Sequence, residues 1–132
     1  VTATIQAALD VGDLAPHARQ LEGALRQLNG VTAHLVERTR TRGPVHGLAD
    51  ATVYLEFFGI VTIAWQWLGQ GLAACRGLAK ASSRADRDFY TGKLHTLAYF
   101  FGYELPKTSS LGQVLTAGLT ITVDMDSRHF AD

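Results

Sequence analysis

This sequence has one cysteine, three prolines and no net charge. Each scarcity removes a class of explanation. Cys75 has no partner within the chain, so no internal disulfide can form and stability must come from the core. A lone thiol fits a reducing compartment, and a cytoplasmic location is the expectation. Twelve lysines and arginines are balanced by 12 acidic residues. A nucleic-acid-binding module would show a basic excess or stripe, so nucleic acid is not an expected partner. The same balance leaves little self-repulsion to oppose association. The N-terminus, Val1-Thr2-Ala3-Thr4-Ile5, has no basic n-region, no apolar h-region and no initiator Met. It reads as a cut inside a longer polypeptide.

What is present is 132 residues, one domain by length and long enough to bury a core without staples. Strand patterning carries no weight anywhere, and helical spacing dominates. Residues 2–10 read as a short helix with Ala3, Ile5, Ala7, Ala8 and Leu9 as its apolar positions. Asp13 is the expected N-cap of the next helix, and Pro16 suits a first turn, where the missing N–H costs little. Leu14, Ala18, Leu21, Leu25, Leu28, Thr32 and Leu35 then recur at spacings of three and four. They lay one apolar stripe along a helix over about 14–41. Gly30 interrupts it, and Gly43-Pro44 stops it.

A second long helix starts between His46 and Asp50 and ends near Ser82. It carries two seams. One is Leu48, Ala51, Leu55, Phe58, Thr62, Trp65, Gly69 and Leu72, with Phe58 as a core residue. The other is Val53, Phe57, Ile60, Ala64, Trp67, Gly71 and Ala74. Only Thr52, Glu56, Gln66 and Gln70 stay polar between them. A helix apolar over most of its circumference must be covered on several sides, by its own neighbours or by a partner. Glu56 to Arg76 encloses no charged residue, a length that approaches a membrane span. Gln66, Gln70, Thr62 and three glycines interrupt it, so the expectation is a core helix and no membrane. A third helix covers about 85–104, Leu105-Pro106 bends the chain, and a fourth runs from about 107 to 121. The bundle thus spans about 14–121, and 122–132 reads as a loose tail. The fold class expected is all-α, an antiparallel four-helix bundle in a single domain.

Motifs that carry chemistry are scarce. Gly69-Gln70-Gly71-Leu72-Ala73-Ala74 has the form G-x-G-x-x-A, but a dinucleotide fingerprint needs a strand before it and a helix opening at it. Here it lies inside a helical pattern, and small residues for close helix packing explain it better. Gly92-Lys93 is no phosphate loop, because Arg87 stands where the first glycine belongs and Leu94 where Ser or Thr belongs. Lys93 reads as a helix-edge lysine that snorkels or bridges to a neighbouring domain. His17, His34, His46, His95 and His129 form no ligand pair at helical spacing. There is no G-x-S-x-G, so no serine nucleophile is indicated. Cys75, on an apolar helix, reads as an inert thiol. No catalytic, cofactor-binding or metal residue is expected in this chain, and alone it is not expected to be an enzyme. Tryptophan is enriched at interface hot spots. Phe57, Trp65, Trp67 and Lys93 are therefore the residues expected at an interface.

The order Ala49-Asp50-Ala51-Thr52-Val53-Tyr54-Leu55, Phe58-Gly59-Ile60-Val61, Trp65 and Trp67, Gly71-Leu72-Ala73-Ala74, Phe89-Tyr90-Thr91-Gly92-Lys93, Thr96, Ala98-Tyr99-Phe100 and Leu105-Pro106 resembles one known domain. It is the extra C-terminal helical domain of acetyl-CoA dehydrogenase-like and methylthiopropionyl-CoA dehydrogenase-like acyl-CoA dehydrogenases. The resemblance covers about 14–130. It implies a parent polypeptide whose upstream domains hold FAD, the acyl-CoA site and the catalytic glutamate. None of those residues lies here. The implied parent reaction is α,β-dehydrogenation of an acyl-CoA thioester in fatty acid metabolism, with flavin supplying the redox chemistry. The implied partners are the dehydrogenase body and a second copy, in a homo-oligomer. Another branch of that family carries a basic DNA-binding region, which the neutral charge here disfavours. The alternative from a different class is a free-standing bundle that binds a small apolar ligand between helices, near Phe58, Trp65 and Phe100.

Overall fold

The computed structural model describes residues 1–130. Helix α1 is Thr2–Leu9, α2 is Ala15–Arg42, α3 is Pro44–Leu48, α4 is Ala51–Lys80 and α5 is Arg84–Tyr99. The last of these runs on as a π turn, Phe100–Glu104, before α6 at Lys107–Thr116, α7 at Ile121–Asp124 and a 3-10 turn at Ser127–Phe130. The described residues contain no strand.

The ends of these helices follow local chemistry. Pro16 sits in the first turn of α2, as its fixed φ allows. Asp13, however, does not cap it. Leu14 occupies the cap position in helical conformation, and the Leu14 N–H bonds to the Val11 carbonyl at 2.8 Å, so the chain enters α2 through a tight turn instead. Ser83 is a true N-cap, its Oγ accepting the Asp86 N–H at 3.0 Å. Gly43 turns the chain with φ 87°, where a side chain would be strained, and a separate short α3 precedes α4. The last long helix stops at Thr116, short of 121, because Gly118 at φ 69° reverses the chain.

Register between helices can be read from paired residues. Leu14 lies against Gly71, Thr32 Oγ1 is 2.9 Å from Tyr54 Oη, and Arg38 meets Asp50. Numbers rise along α2 as they fall along α4, so the two are antiparallel. Gly71 meets Leu97 and Gly77 meets Tyr90, so α5 is antiparallel to α4 as well. Thr108 and Ser109 share a wall with Gly23 and Gln27, and Gln113 and Thr116 share one with Gly30 and Val31. Helix α6 therefore runs parallel to α2 and in the same direction as α5, a departure from the expected antiparallel order: the turn through Phe100–Glu104 and Leu105-Pro106 carries the chain onward along α2 instead of reversing it. All of them, and α1, pack on α4, which is the hub of the fold. The main neighbours of α5 are α4 and its own π continuation.

The core is continuous. Leu14, Ala18, Leu21 and Leu28 of the α2 stripe are buried, and Leu25 and Leu35 pack against its edge. On α4 the inner line is Phe57, Val61, Ala64, Leu68, Gly71 and Ala74. Phe58 is not a core residue: it is 48% exposed, and Leu55 is 66% exposed. The seam through Leu55 and Phe58 faces outward because α1, α2 and α6 close on the side of Phe57. By length and composition α4 could cross a membrane. Within the fold it is the element on which the other helices rest. The π turn, read from sequence as plain helix, brings Phe101 and Leu105 inward, at 1% and 4% exposure.

Candidate interaction surface

The four residues expected at an interface do not form one site. Phe57 is fully buried, on the α4 line that faces α2 and α6, and is corrected here to a core residue. A Cβ at Gly112 of α6 would come within 3.4 Å of its ring, which shows how closely α6 covers it. Trp65 is half-buried and occupied inside the fold, its Nε1 donating to Thr4 Oγ1 of α1 at 2.9 Å. Trp67 and Lys93 are brought together. The Lys93 ammonium lies 5.9 Å from the Trp67 ring centroid and 5.5 Å from that of Phe89. Both rings are within cation–π range, and among the described residues Lys93 has no carboxylate at ion-pair distance. Phe89 is itself 59% exposed, so this cluster is a rim with one aromatic facing water.

A second group of exposed apolar side chains lies elsewhere. Where the end of α2 meets α3 and the start of α4, Val36, Val45, Leu48, Leu55 and Phe58 are all exposed. Between Leu35, Val36, Leu48, Ala51 and Tyr54 runs an open groove of about 200 Å³. Gly47 forms its tightest point, where a Cβ would stand 2.9 Å from the Thr39 Cα. Sequence reasoning missed this corner because Val36 and Val45 sit among arginines and turn residues. The signal available was the break at Gly43-Pro44, which puts apolar residues on three short stretches that no single periodicity joins.

Chemistry is sparse across the surface. Among the described residues no three His, Cys, Asp or Glu side chains come together. Burial pushes the Cys75 thiol up from its ordinary range, with Asp13 adding to the shift, which disfavours the nucleophilic thiolate. The Gly69–Ala74 stretch lies in mid-α4, and a Cβ at Gly71 would strike Leu97 and Leu14. It packs helices and cannot cradle a pyrophosphate. Two open cavities of about 300 Å³ are lined by residues other than Phe58, Trp65 and Phe100. They stand at the lower limit of small-molecule pockets.

Across residues 1–126 the chain matches the family described as acetyl-CoA dehydrogenase C-terminal like. Comparison with curated proteins and with solved structures gives no match. The all-helical fold agrees with that family, and the match takes in every helix from α1 to α7. This chain is a member of the acetyl-CoA dehydrogenase C-terminal-like family.

Proposed function

We propose that this chain is a non-catalytic accessory domain of an FAD-dependent acyl-CoA dehydrogenase. The parent enzyme would oxidise an acyl-CoA thioester to the enoyl-CoA. Family membership supports the parent. The observation that carries the docking role is the exposed apolar corner formed by Val36, Val45, Leu48, Leu55 and Phe58. Contiguous apolar surface of this kind normally marks an interaction site. The domain's work is to bury that corner against the dehydrogenase body or a second copy, with Trp67 and Lys93 at a separate aromatic rim. The four-helix reading of α2, α4, α5 and α6 rests on their shared register about α4. The flavin and the catalytic carboxylate belong to the body, so no chemical step is assigned to residues here.

The test has two parts. The chain is incubated with FAD, acyl-CoAs and an electron acceptor, and no turnover and no stoichiometric yellow flavin retention are expected. The reading frame upstream of Val1 is then sequenced. A flavoprotein body there supports the proposal. Turnover by the chain alone, or an unrelated upstream frame, overturns it.

A further inference from the structure

The end of α2 holds a second feature that docking does not explain. His34, Arg38 and Arg42 recur every four residues along one face of the helix. Together with Glu37, Thr41 and Gly118 they line a cavity of about 200 Å³. Arg38 is its buried member, with its side chain only 5% exposed. A buried guanidinium needs its charge and its five N–H groups matched. The match here is incomplete. One Nη donates to Asp50 Oδ2 at a long 3.4 Å, the other donates to the Leu119 carbonyl, and Nε has no partner.

The other charges around the cavity do not close the gap. Glu37 lines it, but Arg40 holds that carboxylate with two hydrogen bonds of 2.9 and 2.7 Å. Among the described residues Arg42 has no carboxylate at ion-pair distance. Arg38, Arg40 and Arg42 against Glu37 and Asp50 leave one positive charge in excess, before His34 is counted. Thr41 forms wall only, since its hydroxyl already donates to the Glu37 carbonyl at 2.8 Å. Gly118, at φ 69°, lets the chain turn back across the rim.

We propose that this cavity binds an oxyanion of the phosphate class. Two guanidiniums and an imidazole line this space of about 200 Å³, which has room for one tetrahedral anion and a short organic arm, and the buried Nε–H of Arg38 is the donor left to serve it. Guanidinium groups bind such oxyanions through charge-assisted, often paired hydrogen bonds. A carboxylate presents its acceptors in one plane, whereas a tetrahedral oxyanion carries more charge and presents acceptors in several directions at once. The ligand is either a free anion or a phosphomonoester, and both share this chemistry. The site stands independently of the docking role, because it needs no dehydrogenase body.

The experiment uses the ¹⁵N-labelled 132-residue chain. Inorganic phosphate and, separately, O-phosphoserine are titrated at ionic strength held constant with sodium chloride. The arginine Nε–H signals and the Gly118 amide are followed by NMR. Saturable shifts at Arg38 and Gly118 are expected. Arg42→Gln should weaken binding about tenfold, and His34→Gln should weaken it less. Arg42 is exposed, so its replacement leaves the fold intact, whereas Arg38→Gln removes a staple and is a poor test. Tighter binding of phosphoserine supports a phosphomonoester ligand, and equal binding supports the free anion. Shifts that never saturate, shifts that chloride alone reproduces, or unchanged affinity in Arg42→Gln overturn the proposal.

Discussion

Trp65 reaches from α4 to α1, and its indole N–H donates to the Thr4 hydroxyl at 2.9 Å. This bond, with Ile5 and Ala8 buried beneath it, holds a helix of only eight residues in place. An isolated helix that short does not persist in water. Thr4→Val keeps the shape and removes the acceptor, so it should cost about 1 kcal/mol. Amide exchange across Thr2–Leu9 should speed up more than exchange in α2. Unchanged exchange in α1 would show that burial alone anchors it.

Adjacent phenylalanines should behave as opposites. Phe57→Ala opens a cavity in the centre of the fold and should cost about 3–5 kcal/mol. Phe58 is 48% exposed, so Phe58→Ala should cost under about 1 kcal/mol. Urea denaturation of the two variants side by side decides it. Equal losses would mean that α4 is rotated about its axis relative to this structure.

Two glycines make a similar pair. A Cβ at Gly30 would meet nothing within 4 Å, and the position is helical and exposed. Gly30→Ala should therefore stabilise by about 0.5–1 kcal/mol through helix propensity. At Gly47 the added carbon would stand 2.9 Å from the Thr39 Cα, which is backbone and cannot move aside. Gly47→Ala should be destabilising and should disturb the α3 corner. Thermal melts of both variants give the signs.

The chain on its own should self-associate. Val36, Val45, Leu48, Leu55 and Phe58 leave an uncovered apolar corner, and zero net charge offers no opposing repulsion. Sedimentation should show a concentration-dependent dimer, a two-fold pair being the commonest closed form. Leu48→Lys with Leu55→Lys should restore a monomer, since both positions face water and tolerate charge. A wild-type chain that stays monomeric at the highest concentration sedimentation can reach would remove the support for docking here.

The stripe on α2 was legible in the sequence because one of its faces is apolar and the other charged. Leu14, Ala18, Leu21 and Leu28 had no competing assignment. Helix α4 was legible as a helix but not in its orientation. With apolar residues on two seams, periodicity cannot say whether Phe57 or Phe58 faces inward; the side on which α1, α2 and α6 pack decides it, with Gly112 of α6 against Phe57. The π turn was hidden because Phe100, Phe101 and Tyr103 suit a plain helix equally well. Arg38 was hidden for another reason. A charged residue off an apolar stripe reads as solvated, and its burial depends on Asp50 and on a carbonyl 81 residues away.

Helix α5 finds its main support on α4 and on its own continuation, and it does so over Gly71, Ala74 and Gly77, which offer a smooth track with few side chains to interlock. The fold is therefore built as an interlocked body, α1, α2, α4 and α6, and one more lightly held helix. That helix, Arg84–Tyr99, rests mainly on α4, with Leu97 as its one buried residue. Partial unfolding should begin there as one unit, and it would uncover the small-residue track of Gly71, Ala74 and Gly77 along α4.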